Sequence, residues 1–243
     1  MLILALDTSS PCGSLAVLRD ACVVGSVSTW TDEPYSSRVF RHLDFLLHEL
    51  GLALDAFDLW AVATGPGSFT GLRVGLAAAK AWAEVNRKPL AAISALEAVA
   101  AQSRSAAEVL VPFLDARRGQ VYFAVYRRCG APDEARLVRL GEERVATPDE
   151  FLNELRSQQL DSQAVIVTPA PEVISSAAAS LARGGASEHA VPVERVSPVL
   201  APVVGQLGYL HAQRGELTDS LTLDANYVRR SDAELHWKGP PSS

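Results

Sequence analysis

The sequence is short of cysteine, of basic charge and of long apolar runs. Its three cysteines, Cys12, Cys22 and Cys129, form no C-x-x-C pair and have no metal-ligand spacing. An odd, scattered set argues against a disulfide framework or a zinc cluster and fits a reducing compartment. Asp and Glu outnumber Lys and Arg, 28 to 22, for a net charge of −6. That balance argues against a stand-alone nucleic-acid binder. The pairs Arg117-Arg118 and Arg229-Arg230 read as parts of a solvated face. No apolar run reaches the ~18 residues of a membrane span. The opening "MLILALDTSS" has no basic flank and meets Asp7, so it reads as a buried strand rather than a leader. A cytoplasmic protein with no membrane association is expected.

What is present is an ordinary globular composition, 48% hydrophobic and 21% charged over 243 residues. That is enough for one large domain or two small ones. "LILAL" (2–6) and "LWAVAT" (59–64) are continuous apolar runs, predicting strands buried on both faces. "SLAVL" (14–18) and "CVVGSVSTW" (22–30) continue the first into a meander. "SSRVFRHLDFLLHELG" (36–51) carries Val39, Leu43, Leu46 and Leu50 on one stripe, with Ser at its start and Gly at its end, predicting a capped amphipathic helix. "TGPGSFTG" (64–71) is a Gly-rich joint leading into a helix over 70–87, closed by Pro89.

The second half opens with "VLVPFLDARRGQVYFAVYRR" (109–128), which repeats the pattern of residues 2–20: apolar strand, Leu-Asp, short Gly-containing turn, apolar strand. Asp7 and Asp115 are equivalent. This predicts two copies of one α/β unit of roughly a hundred residues, with bounds at 1–105 and 106–243. Further on, 130–150 reads as a loop or small insertion and 164–168 as a strand. Residues 171–184 and 200–215 read as helices, the latter packing back on the first unit. Residues 221–230 read as an extended tail, and 237–243 as frayed.

Duplicated units of this kind resemble the actin/Hsp70/sugar-kinase superfold, two RNase H-like units with mixed sheets flanked by helices. Within it, "ILALDTSSPCGSLAVL", "GPGSFTGLRVGLAAAKAWAE" and "LDARRGQVYFAVY" together resemble the TsaB (YeaZ) family, and "NYVR" at 226–229 resembles its closing segment. The resemblance spans most of the chain, with residues 130–215 adding little. "YSSR" at 35–38 departs from the His-Ser pair frequent in the family. The resemblance implies a non-catalytic partner of TsaD, forming threonylcarbamoyladenosine at position 37 of tRNAs that read ANN codons. It implies TsaD as heterodimer partner, the ATPase TsaE in a larger complex, tRNA met only through that complex, and ATP/ADP and metal on the partner proteins. No cofactor is expected in the isolated chain. The rival reading is an enzyme of the same superfold, a small-molecule kinase or metallopeptidase with its own site.

In that superfold Asp7, Thr8 and Asp115 are candidates for holding a nucleotide and its cation. The alternative is that each aspartate caps its own turn. Two features weigh for the second. TsaD carries two His four residues apart after its own loop and helix; the matching stretch "ISALEAVAA" (93–101) has Ala95 and Val99, which have no lone pair for a metal. The nucleotide-binding relatives have a Gly-Gly stretch where "VTPAPEV" (167–173) stands, with two prolines. Gly184-Gly185 reads as a helix terminator. The five His (His42, His48, His189, His211, His236) have no pairing that replaces the missing ligands; His42 and His48 face different sides of one helix. No catalytic or metal residue is therefore assigned. Gly65, Pro66, Gly67 and Gly71 read as a packing joint, at least one glycine having φ > 0.

The helix over 70–87 is apolar round most of its circumference at ~100° per residue. One face, with Leu72 and Leu76, meets the sheet. The opposite face, Val74, Ala78, Ala81 and Val85, is expected to meet a partner, together with Trp82 between the two faces and Phe45 from the preceding helix. The isolated chain is expected to cover this surface by forming a homodimer.

Overall fold

The computed structural model describes residues 1–31, 33–130, 136–157, 164–174 and 191–229. Ten strands form two five-stranded sheets. The first holds β1 (Leu2–Asp7), β2 (Cys12–Arg19), β3 (Cys22–Trp30), β4 (Leu59–Gly65) and β5 (Leu90–Ser94), in the order β3-β2-β1-β4-β5. β1, β2 and β3 pair antiparallel; β1, β4 and β5 pair parallel. The second holds β6 (Val109–Arg117), β7 (Gln120–Cys129), β8 (Arg136–Ala146), β9 (Ala164–Thr168) and β10 (Val193–Arg195), in the order β10-β9-β6-β7-β8. Its pairing repeats the first, β6 standing for β1 and β7 for β2. Two mixed sheets of one strand order, flanked by helices, are the duplicated unit of the actin/Hsp70/sugar-kinase superfold.

The helices are α1 (Tyr35–Leu50), α2 (Phe69–Asn86), α3 (Ala95–Ala100), α4 (Pro148–Ser157) and α5 (Ala201–Gln213). Every residue of β1 and β4 is buried, because both faces are covered, as their unbroken apolar runs require. Leu4, Leu6, Trp60 and Val62 point to α1 and α2. Ile3, Ala5, Leu59 and Ala61 point the other way, into a core shared with α3, α5 and the inner face of the second sheet. α5 approaches the first sheet closely: a side chain at Gly208 would collide with Ala61, and Ala201 N–H donates to Ser14 Oγ at 3.1 Å. α3 is wedged in the same core, which is why five of its six residues are buried.

Two local expectations are corrected. Much of the stretch 130–150 is strand: β8 pairs with β7 from Arg136 to Ala146. It is an edge strand exposed over most of its length, so its sequence carries only weak apolar alternation to betray it. α1 has Pro34 at its N-cap, with no side-chain cap, so Ser36 and Ser37 lie inside its first turn. Its C-terminal reading holds, with Gly51 left-handed at φ 62°. The predicted helix over 171–184 is described only at its start. Gly184, Gly185, His189, Arg230, His236 and the segment 237–243 lie outside the described residues.

Candidate functional site

β1 ends at Asp7, and the turn Asp7-Thr8-Ser9 lies against the joint between β4 and α2. Gly65 leaves β4 at φ 109°, which glycine tolerates and other residues rarely adopt. The Gly65–Pro66 bond is cis. Ser68 then caps α2, its Oγ accepting from Gly71 N–H at 3.3 Å. Ser68 N–H donates to Ser9 O at 2.7 Å, and Thr8 Oγ1 donates to Gly71 O at 2.8 Å. A side chain at Gly67 would overlap Ser9, and one at Gly71 or Gly75 would overlap Thr8. The glycines let the start of α2 rest directly on the turn, with Thr8 and Ser9 in contact with its backbone.

Asp7 is fully buried. Its Oδ1 accepts from Ser9 N–H at 2.8 Å, and its Oδ2 has no partner. Burial pushes its pKa up to about 6, against the lowering effect of the Ser9 bonds. Burial also raises the Cys12 thiol and the Tyr35 phenol, with the Asp7 charge adding and Arg38 opposing. Arg38, buried at the start of α1, stacks on the Tyr35 ring at 4.2 Å and donates to Thr29 Oγ1 at 2.7 Å. His42, one turn on, is held below its ordinary value by burial first and then by Arg38 and Arg41. Arg38 and His42 had no signal in the sequence, since polar residues next to the apolar stripe read as surface.

Asp115 is not a second Asp7. It lies exposed at the end of β6, its Oδ1 accepting from Arg117 N–H at 2.7 Å and its Oδ2 lying 3.9 Å from the Arg117 guanidinium. It caps its own turn. The structure thus gathers Asp7 and Thr8 with Gly65, Gly67 and Gly71, and leaves Asp115 to its own hairpin. Ala95 and Val99 are fully buried in α3. Thr168, at the end of β9, accepts from Ala170 N–H within its own turn. His211 lies 3.5 Å from Glu97, and no group of three or more His, Cys, Asp or Glu among the described residues could hold a metal ion.

The helical surface differs from the sequence reading. Ala78 and Trp82 are buried inside the chain, Trp82 against Trp60 and the edge of Phe40. α1 lies beside α2 there and takes up the face assigned to a partner. Val74 is half-buried, Ala81 exposed, Val85 81% exposed and Phe45 53% exposed. Phe40, 59% exposed, was missed; it stands off the Val39–Leu43–Leu46 stripe, and that offset was the available signal.

Residues 25–193 match the family model described as TsaD, tRNA N6-adenosine threonylcarbamoyltransferase. The chain is similar to the tRNA threonylcarbamoyladenosine biosynthesis protein TsaB of Bacillus subtilis, 38% identical over 52% of this chain and 56% of that one. The match therefore spans little more than half of that curated relative. The Escherichia coli TsaB is 31% identical over 69% of this chain and 71% of its own length. A solved structure of YeaZ from Pseudomonas aeruginosa superposes with a TM-score of 0.70 at 25% identity, over 93% of this chain and 99% of that one. No helix among the described residues is long and apolar enough to cross a membrane. The likeness to YeaZ runs through both sheets, and the likeness to the Escherichia coli protein covers more than two thirds of its length; the chain belongs to the TsaB (YeaZ) family.

Proposed function

We propose that this chain is a non-catalytic subunit that pairs with TsaD in the formation of threonylcarbamoyladenosine at position 37 of tRNAs reading ANN codons. The observation that carries this reading is the joint between β4 and α2. Its glycines serve close contact between α2 and the turn at Thr8 and Ser9, a packing role that needs no ligand. Ala95 and Val99 offer no metal ligand at the positions where TsaD has its histidines. Catalysis, with ATP/ADP and metal, then belongs to TsaD and the ATPase TsaE, and tRNA is met through the complex, in the cytoplasm.

The contact with TsaD is assigned to the exposed side chains of α1 and α2: Phe40, Phe45, Ala81 and Val85, with Val74 at the margin. The isolated chain covers the same helices by self-association into a homodimer. The test is a reconstituted modification reaction containing TsaD, TsaE, tRNA and this chain, paired with binding measurements on the chain alone. Dependence of modification on this chain, with no nucleotide or metal bound by it, is expected. Micromolar ATP binding or stoichiometric metal in the isolated chain would instead make it an enzyme of the superfold.

A further inference from the structure

The segment after α5 runs back along the molecule with little regular structure, yet it touches both sheets. Thr218 N–H donates to Leu90 O at 2.8 Å, beside the C-terminal end of α2. Ser220 Oγ donates to Glu84 on α2. Leu223 drops into the core beneath α1 and α2. Asn226 N–H donates to Thr64 O at 2.8 Å, and its carbonyl lies over Gly65. The Tyr227 ring packs on Phe69 at 4.9 Å, and its hydroxyl accepts from Arg73 Nε at 3.1 Å. Arg229 then crosses to the second sheet and donates to Ala116 O at 3.0 Å.

Glu143 on β8 stands at the centre. Its side chain is only 2% exposed. It accepts from Ser94 Oγ at the end of the first sheet, from Arg139 on its own strand, and from Asn226 Nδ2. One carboxylate therefore ties the first sheet, the second sheet and the returning segment together. Thr64 and Ala116 lie at the carboxyl ends of β4 and β6, and the crevice outside such ends is where open α/β sheets receive ligands. Here the chain's own residues fill it.

We infer that Thr218–Arg229 is a detachable strap that closes the groove between the two sheets, with Glu143 as its latch. Among the residues from 218 to 229 Leu223 alone is buried, whereas β1 and β4 are buried throughout. A segment held by one buried apolar side chain, the Tyr227 ring on Phe69, the partly buried Ala225 and Val228 and a few polar contacts opens below the free energy of global unfolding. Opening uncovers Thr64, Gly65, the Phe69 ring and the rim at Ala116.

Hydrogen–deuterium exchange on the full-length chain tests this. In the wild type, the amides of Thr218, Leu223 and Asn226 should exchange through an opening with a smaller denaturant dependence than global unfolding, while β1 and β4 amides wait for global unfolding. The double variant Asn226→Ala, Tyr227→Ala should speed exchange at residues 64–73 and in the strap by on the order of tenfold or more, leaving β1 and β2 unchanged. Glu143→Ala should do the same, and Glu143→Gln should restore part of the protection. If strap amides exchange only with the core amides, or if folded variants leave residues 64–73 and the strap unchanged, the strap is a fixed part of the fold and the inference is wrong. The wild-type measurement decides the matter even if a variant does not fold.

Discussion

Asp7 is a carboxylate whose environment opposes its charge. Its folded pKa of about 6 lies above the ordinary 3.8. Ionised Asp7 therefore costs stability at pH values above 6, and the cost is relieved as pH falls through 6 toward 3.8. The shift corresponds to about 3 kcal/mol at its fullest. Asp7→Asn keeps an oxygen for Ser9 N–H and removes the charge. The variant should melt higher than the wild type at pH 8, the gap narrowing to roughly a third by pH 4.5 and closing only below the unfolded value of 3.8; thermal melts across that range check it. In the reconstituted reaction it should retain near wild-type tRNA modification. A folded variant with full complex occupancy and no activity would return Asp7 to a catalytic role. At Gly65 the burden is conformational, with φ 109°. Gly65→Ala should lose roughly 1 kcal/mol or more in urea unfolding. Gly71→Ala should lose about 1–3 kcal/mol, because its methyl would press on the Thr8 carbonyl.

At the scale of elements, α2 shows where periodicity stops being informative. The wheel put Ala78 and Ala81 on one outward face, yet Ala78 is buried and Ala81 exposed. A helix that carries alanine and glycine nearly all round has no polar stripe to mark its free side. Only the packing of α1, through Phe40 on Trp82, decides which part remains open. Two substitutions separate the cases. Val85→Glu should leave the melting temperature within a few degrees of wild type and weaken TsaD binding at least tenfold, read by calorimetric titration. Ala78→Glu should instead destabilise the chain by more than about 3 kcal/mol, since it buries an unpaired charge. β8 makes the converse point. An edge strand exposed over most of its length has only weak apolar alternation, and its pairing with β7 reveals it.

At the scale of the whole molecule, the two units are one folding problem. Ile3, Ala5, Leu18 and Ala61 on the first sheet are covered by α5, which follows the second sheet in the chain. Residues 1–105 alone would expose that face. A fragment ending at residue 105 should therefore aggregate or stay without fixed tertiary structure, and adding residues 106–229 in trans should restore near-ultraviolet dichroism. A soluble, cooperatively melting fragment would show that α5 is dispensable.

The buried strands, the repeated strand-Asp-turn-strand pattern, the Gly-rich joint and the family are all legible in the order of residues along the chain. Each of these depends on neighbours close in the chain, on side-chain period or on glycine's backbone freedom, so each leaves a local signature. The tertiary structure alone decided that Asp7 is buried with one oxygen unpartnered while Asp115 sits on the surface. Their local sequences look alike, and burial depends on what packs above them: α2 and α1 in one case, solvent in the other. It also decided that Ala78 and Trp82 are interior, that Arg38 and His42 are covered, and that Glu143 joins Ser94 to Asn226. Those contacts link residues tens to more than a hundred positions apart. Desolvation and hydrogen bonding are set there by the folded surroundings, and no local period records them.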